Sequence, residues 1–376
     1  MELPQALCQD PDSLQLMALS PTPHKSSKIV MGKDTTLAGT EWTGGDSVRA
    51  FFGGKDIKVV FVVNKSMYLL TYSGNNPVLT RISQNDEGLY GGQGAINSPL
   101  FSPDGRKILF AGTTRGKPAF VQDAVAGGIP SLRVPVDPKG HTTAEPHWHS
   151  ENGKTYVYFA TLPGLIFYDN SCSQIPGATY RRELLNDSTF DSTRTTGIPG
   201  AYRGGISRDG LWAGTSYAPS VLFDIGAKKS YLLAGGSQQC NPSMNPYPPG
   251  SKHNDYMLIL AFGGLPAYKL IDGRDTVEDI HENLWIYNKD DKIVWQAAMP
   301  DKKYYLHFDK PEWSTHPDFA TAVILVRGKE DADLFALKIG DLANAEEGKL
   351  NQAQGYLRIG KGGFNSDTFS HLWVAP

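Results

Sequence analysis

The stretch Pro99-Leu-Phe-Ser-Pro-Asp-Gly105, followed by the strand-like Arg106-Lys-Ile-Leu-Phe-Ala111, decides the reading of this chain. It returns as Pro146-His-Trp-His-Ser-Glu-Asn-Gly153 before Lys154-Thr-Tyr-Val-Tyr-Phe159. It returns again as Gly205-Ile-Ser-Arg-Asp-Gly210 before Leu211-Trp-Ala-Gly-Thr215. Looser copies stand at Pro242-Ser-Met-Asn245 and Pro311-Glu-Trp-Ser-Thr-His-Pro-Asp318. A phrase that recurs along a whole chain marks an array of like units. Within it, Asp104-Gly105 and Asp209-Gly210 are tight-turn pairs, Gly accepting positive φ and Asp capping the turn. The larger side chains Phe101, Trp148, Met244 and Trp313 are expected to pack between neighbouring units.

Between the copies lie β-branched and aromatic runs. Ile57–Val63 and Met67–Tyr72 come first; Ile108–Phe110, Ala119–Val121 and Ser131–Val134 follow the Pro99–Gly105 anchor. Then come Tyr156–Phe159, Leu165–Tyr168 and Thr179–Glu183, and after them Leu211–Ala213, Ser220–Asp224 and Lys229–Leu233. The last two sets are Tyr256–Leu260, Asn283–Tyr287 and Ile293–Trp295, then Thr321–Val326, Asp333–Leu337 and Tyr356–Ile359. Three runs plus a strand at the anchor make four-stranded antiparallel units, and such units repeated radially are the blades of a β-propeller. The fold class is therefore all-β. Six blades are counted, with seven as the alternative, and Phe369–Val374 is left to complete the blade begun at the N-terminus. Residues 1–25, polar and Pro-rich, read as an extended leader; residues 26–376 read as a single propeller domain. Insertions at Gly263–Glu282 and Gly340–Gln354 carry short helix candidates, at Val277–Asn283 and from Leu342.

Composition narrows the function. A net charge of -3 with no basic cluster argues against nucleic acid as partner. No apolar run reaches the roughly 20 residues of a membrane span, and Met1-Glu-Leu-Pro lacks the basic and then apolar start of a signal peptide. Cys8, Cys172 and Cys240 allow at most one disulfide.

The Pro-Leu-Phe-Ser-Pro-Asp-Gly phrase resembles the WD40-like repeat of periplasmic Tol-type propellers. The phrases Ala201-Tyr-Arg-Gly-Gly-Ile-Ser207, Gly235-Gly-Ser-Gln-Gln-Cys-Asn241 and Glu312-Trp-Ser-Thr-His-Pro-Asp-Phe319 are similar to a paralogous family of secreted or surface propellers in fibre-degrading bacteria. These resemblances imply an extracytoplasmic setting, periplasmic or secreted, near carbohydrate.

Residues just before or within each anchor are expected to converge at one rim of the central channel. They are Arg49, Asn97, Glu145, His147, Tyr202, Arg203, Asn241, His307 and Glu312. Arg, Glu and Asn suit a sugar or uronate, Arg forking a carboxylate. Arg49, Asn97, Glu145, Tyr202, Arg203 and Asn241 are the ligand-binding candidates. Glu145-Pro-His147-Trp-His149 sets two imidazoles two residues apart on a strand face, a divalent metal ion being the cofactor they would hold. This His-x-His is similar to the His-rich metal site of the oligogalacturonate lyases, whose propeller is seven-bladed. His141 and His316 stand nearby in sequence or at another anchor. No Gly-x-Ser-x-Gly elbow and no phosphate loop is present, so Gly204-Gly-Ile-Ser207 is anchor and Gly91-Gly-Gln-Gly94 is loop. Two readings follow. One is a non-catalytic propeller that binds a carbohydrate or a partner protein at its channel face. The other is a carbohydrate-active enzyme, a metal-assisted lyase or a glycosidase, using His147, Arg203, His307 and Glu312, with a His or Tyr202 as base.

Overall fold

The computed structural model describes residues 37, 39–64, 66–82, 96–112, 119–125, 132–134, 142–162, 178–185, 189–191, 195–200, 202, 204–215, 220–234, 239–261, 281–346 and 349–376. Six antiparallel sheets form the blades of a propeller. β1 (Glu41–Trp42) and helix α1 (Gly45–Phe51) precede the first blade, β2 (Ile57–Val63), β3 (Ser66–Ser73) and β4 (Asn76–Arg81). The second blade is β5 (Ile96–Phe101), β6 (Lys107–Gly112), β7 (Ala119–Asp123) and β8 (Leu132–Arg133). The third is β9 (Thr142–Glu151), β10 (Lys154–Leu162) and β11 (Ala178–Leu185), with β12 (Thr189–Phe190) and β13 (Thr195–Pro199) both pairing β11. The fourth is β14 (Trp212–Thr215), β15 (Ser220–Asp224) and β16 (Lys229–Leu233); its inner strand is reduced to one bridge, Ile206 to Ala213. The fifth is β17 (Cys240–Met244), β18 (Met257–Leu260), β19 (Asn283–Tyr287) and β20 (Ile293–Ala298). The sixth is β21 (Tyr305–Trp313), β22 (Phe319–Val326) and β23 (Ala332–Lys338), completed after an excursion by β25 (Gly355–Phe364). That excursion carries β24 (Asn351–Gln352), which runs parallel to β20 and covers the fifth blade's edge. β26 (Phe369–Val374) then becomes the innermost strand of the first blade, Val59 opposite Leu372.

The ring closes as the sequence indicates, and more firmly. β26 seals the first blade, while β1 adds an outer strand to the sixth through Glu41↔Lys361. The Ala375 N–H donates to Asp56 O at 2.9 Å, and Lys55 Nζ donates to Ala375 O at 3.1 Å.

Blade strands read as unbroken apolar runs because both faces are buried. β2 shows the logic: Val59, Phe61 and Val63 face the sixth blade, while Val60 and Val62 face the second. Among the described residues one apolar cluster fills each of the six interfaces. Each aliphatic or Phe side chain so enclosed contributes about 1.5–3 kcal/mol. Phe101, Trp148, Met244 and Trp313 sit in or against these clusters, as their place in the phrase requires. Trp148 also donates its indole N–H across an interface to Leu100 O at 2.9 Å.

The anchor turns repeat to within a few tenths of an ångström. Ser102 Oγ donates to Asp104 Oδ1 at 2.6 Å and accepts the Lys107 N–H at 2.9 Å. Ser207 does the same with Asp209 at 2.6 Å and Trp212 at 3.0 Å. Gly105 and Gly210 take positive φ, 68° and 76°.

Several expectations change. α1, unforeseen, occupies residues where no element was expected. Asn283, expected to end a helix, is the first residue of β19; residues 277–280 of that candidate lie outside the described residues. The Leu342 helix is a single 3-10 turn, Leu342–Asn344. Leu165–Tyr168, the leader 1–25, Cys8 and Cys172 lie outside the described residues.

Candidate functional site

Each anchor proline is followed by one residue that points down the channel. Proline donates no ladder hydrogen bond, so the inner strand must bulge there. The pairing registers break at Asn97/Leu100, Cys240/Ser243 and Asp309/Glu312. The residue before the proline absorbs the bulge with a left-handed backbone: Ser98 at φ 46°, Asn241 at 45°, Lys310 at 43°. The residue after it turns to the axis.

The six blades thereby bring Leu100, His147, Gly205, Ser243, Glu312 and His371 into one layer across the channel. The contacts are direct. Phe101 N–H donates to His371 Nδ1 at 2.9 Å. Ser243 Oγ donates to Glu312 Oε1 at 2.5 Å and accepts the Trp313 N–H at 3.0 Å. A Cβ on Gly205 would lie 2.6 Å from His147 Cγ, so only glycine fits beneath that imidazole. Burial holds the His371 pKa down at about 3; a hydrogen bond with the Trp313 backbone opposes this and the nearby His147 adds to it. His371 is thus a neutral ring at neutral pH.

The layer divides the channel. Leu100, His147 and Glu312 line a cavity on each side of it. Toward the anchor turns lies a chamber of about 100 Å³, walled by His149, Arg208, Asn245 and Thr315. Toward the strand starts lies one of about 30 Å³, walled by Ser98, Asn241, Lys310 and Phe369. Lys310 Nζ sits 5.2 Å from the Phe369 ring and 3.3 Å from Asp309 Oδ1.

Of the residues singled out from sequence, His147, Glu312 and Asn241 meet at this channel, and His149 joins them on the larger chamber. His149 is 3% exposed, packs edge-on against Tyr158 at 5.5 Å, and its Nδ1 has no hydrogen-bond partner. Burial lowers its pKa, against the pull of Glu151 and Asp209. Asn97 lies on β5 one residue before Ser98. The side chains of Asn97 and Glu145, and all of Arg203 and His141, lie outside the described residues.

Three expected members stand elsewhere. Arg49 is on α1, bonded to Asp46 and to Gly74 O. Tyr202 is 3% exposed and stacks on Phe223 at 5.2 Å, so its ring is core between the third and fourth blades. His307 lies within a register break of β21, between Tyr305 and Phe308, and is edge-on to His281 at 5.8 Å rather than on either chamber. Burial drives the His281 pKa to about 4, with Asp309 opposing and His307 and Lys310 reinforcing. His316 caps its own turn, accepting the Asp318 N–H at 3.3 Å. Among the described residues no three His, Cys, Asp or Glu gather to hold a metal ion. Ser243, Lys310 and His371 were missed from the sequence. Applying the anchor phrase to Ser370-His-Leu-Trp373 would have found His371.

With the ring and its repeated phrase in view, the architecture is plain. The chain is a six-bladed β-propeller. No protein-family model matches it, and no curated protein does. Solved structures similar to it include TolB from Acinetobacter baumannii, at 12% identity and TM-score 0.48 over 87% of this chain and 69% of that one. The β-propeller domain of Cps50 (Swd1) from Myceliophteria thermophila is similar at 11% identity and TM-score 0.40, over 77% of this chain and 82% of that one. No helix among the described residues is long and apolar enough to cross a membrane.

Proposed function

We propose that this propeller is a binding module that receives a partner protein at the anchor-turn mouth of its channel. The observation that carries the reading is the closed axial layer. It leaves chambers of about 100 and 30 Å³, well under the roughly 300–1,000 Å³ of sites that enclose a small molecule. The larger one has room for a side chain inserted from a docked surface, with exposed Arg208 at its lip and Glu312 and His149 deeper. A carbohydrate is the competing ligand, and the enzyme reading fares worse. Among its described residues His147 and Glu312 share a chamber while His307 lines neither, and one Glu312 oxygen is already engaged by Ser243.

Affinity capture with wild-type protein, Arg208→Glu and an outer-turn control, Lys329→Glu, tests this. The expected result is a protein retained by wild type and control and lost with Arg208→Glu. A glycan-array signal lost in Arg208→Glu would replace the protein partner with a carbohydrate; binding indifferent to Arg208 would remove the channel mouth from function. We assign the setting as extracytoplasmic, on the likeness of the anchor phrase to periplasmic Tol-type repeats, and cell fractionation tests it. We further take residues 26–376 as the folding unit, so deletion of residues 1–25 should leave the melting temperature unchanged.

A further inference from the structure

Arg49 lines a separate groove of about 300 Å³ between α1 and the first blade, sharing no residue with either channel chamber. Its polar walls are dominated by donors. Arg49 Nη1 donates to Gly74 O at 2.6 Å, Lys55 Nζ to Ala375 O at 3.1 Å, and Lys58 Nζ to Gly105 O at 2.9 Å. Main-chain carbonyls therefore help to hold all three cations in place, Arg49 being fixed by an ion pair with Asp46 as well, and an ammonium with three donors and a guanidinium with five have N–H groups beyond these contacts. Lys58 Nζ also stands 4.9 Å from the Trp373 ring centroid. Tyr72 lines the same groove, and its buried hydroxyl has no hydrogen-bond partner. An unmatched buried hydroxyl is a standing cost to the fold. Two carboxylates, Asp56 on the groove wall and Asp46 paired to Arg49, stand against three cations.

Fixed cations, a spare hydroxyl and a cavity at the lower end of small-molecule sites are the requirements for holding an oxyanion. We propose that this groove binds a small oxyanion-bearing molecule, its carboxylate or phosphate group held by Arg49, Lys55 and Lys58 and accepting from the Tyr72 hydroxyl. The competing role for these cations is purely to fasten the ring closure, through Ala375 and Gly105.

Titration with sodium phosphate, sodium glucuronate and glucose, at matched ionic strength, separates the two. The readout is the indole N–H resonance of Trp373, with calorimetry in parallel. A saturable shift with phosphate or glucuronate in the millimolar range or tighter, and none with glucose, is expected; the responding anion identifies the group. Lys58→Met and Tyr72→Phe should each weaken binding about tenfold. Tyr72→Phe should leave the ligand-free melting temperature unchanged or raised, because it removes only an unmatched hydroxyl. Lys349→Met, an exposed charge away from this groove, should change nothing, nor should Arg208→Glu, which tests the channel mouth. No saturable response to either anion overturns the site, as does equal binding by Tyr72→Phe or equal weakening by Lys349→Met.

Discussion

The backbone N–H of Phe101 donates to Nδ1 of His371, 270 residues further on, at 2.9 Å. One imidazole in the closing strand thus ties the first blade to the second, and through the Trp313 backbone to the sixth. The bond requires an unprotonated Nδ1.

Acid should therefore loosen the ring. His371 titrates near 6.5 unfolded and near 3 folded, so the unfolded chain binds more protons between those values. Its contribution is fully present above pH 6.5 and is lost progressively as pH falls toward 3, at about 1.4 kcal/mol per pH unit. His281, held at about 4, acts in the same direction. Urea midpoints measured from pH 7 to 4 should fall for the wild type. They should fall less for His371→Asn, which keeps an acceptor but does not titrate. Parallel curves would show that His371 is not the group responsible.

Gly205 answers for two constraints at once, a φ of 83° and the imidazole of His147. Gly205→Ala should destabilise by about 2–4 kcal/mol. Pairing it with His147→Ala removes the clash but not the backbone strain. The double mutant should recover about half of the loss, a coupling that denaturant titration of all four proteins measures.

The two Ser-Asp-Gly turns have one hydrogen-bond scheme in different blades. Ser102→Ala and Ser207→Ala should thus cost similar amounts, about 1–2 kcal/mol each, and add in the double mutant because the sites share no partner. Melting curves of the three variants suffice. A twofold disparity would mean that the blades are not equivalent in energy as they are in geometry.

Removing Phe369–Pro376 takes away the inner strand of the first blade and bares the β2 edge, whose Val60, Phe61 and Val62 are buried in the intact ring. The truncated chain should lose its single cooperative transition and aggregate. Scattering and near-ultraviolet circular dichroism check this; a monomer melting like wild type would show that β26 is dispensable.

What the sequence discloses is set by range. The anchor turns are local chemistry, so Ser102, Asp104 and Gly105 are readable from seven residues. The blade count follows, because strands buried on both faces, such as Ile57–Val63, stand out as unbroken apolar runs. The site suffers from register. The bulge before each proline breaks the strict alternation of the strand, so Ser98 and Lys310 line the chamber at positions that a regular pleat does not indicate. A second break, between Tyr305 and Phe308, takes His307 off the channel. α1 is seven residues long, too short for propensity to reveal. What holds it in place is long-range packing, Phe52 against Phe319 at 4.7 Å, and Arg49 goes with it. His371 escaped notice because its copy of the phrase has Ser370 in place of proline.

The closing strand also imposes an order on biosynthesis. β2, β3 and β4 leave the ribosome early, yet their inner neighbour is made about 300 residues later, a delay of roughly 15–60 s at 5–20 residues per second. Throughout that interval the first blade carries an open edge rich in valine. The nascent chain is therefore most in need of protection at its oldest strands, and chaperone occupancy mapped along translation should persist there until residues 369–376 emerge.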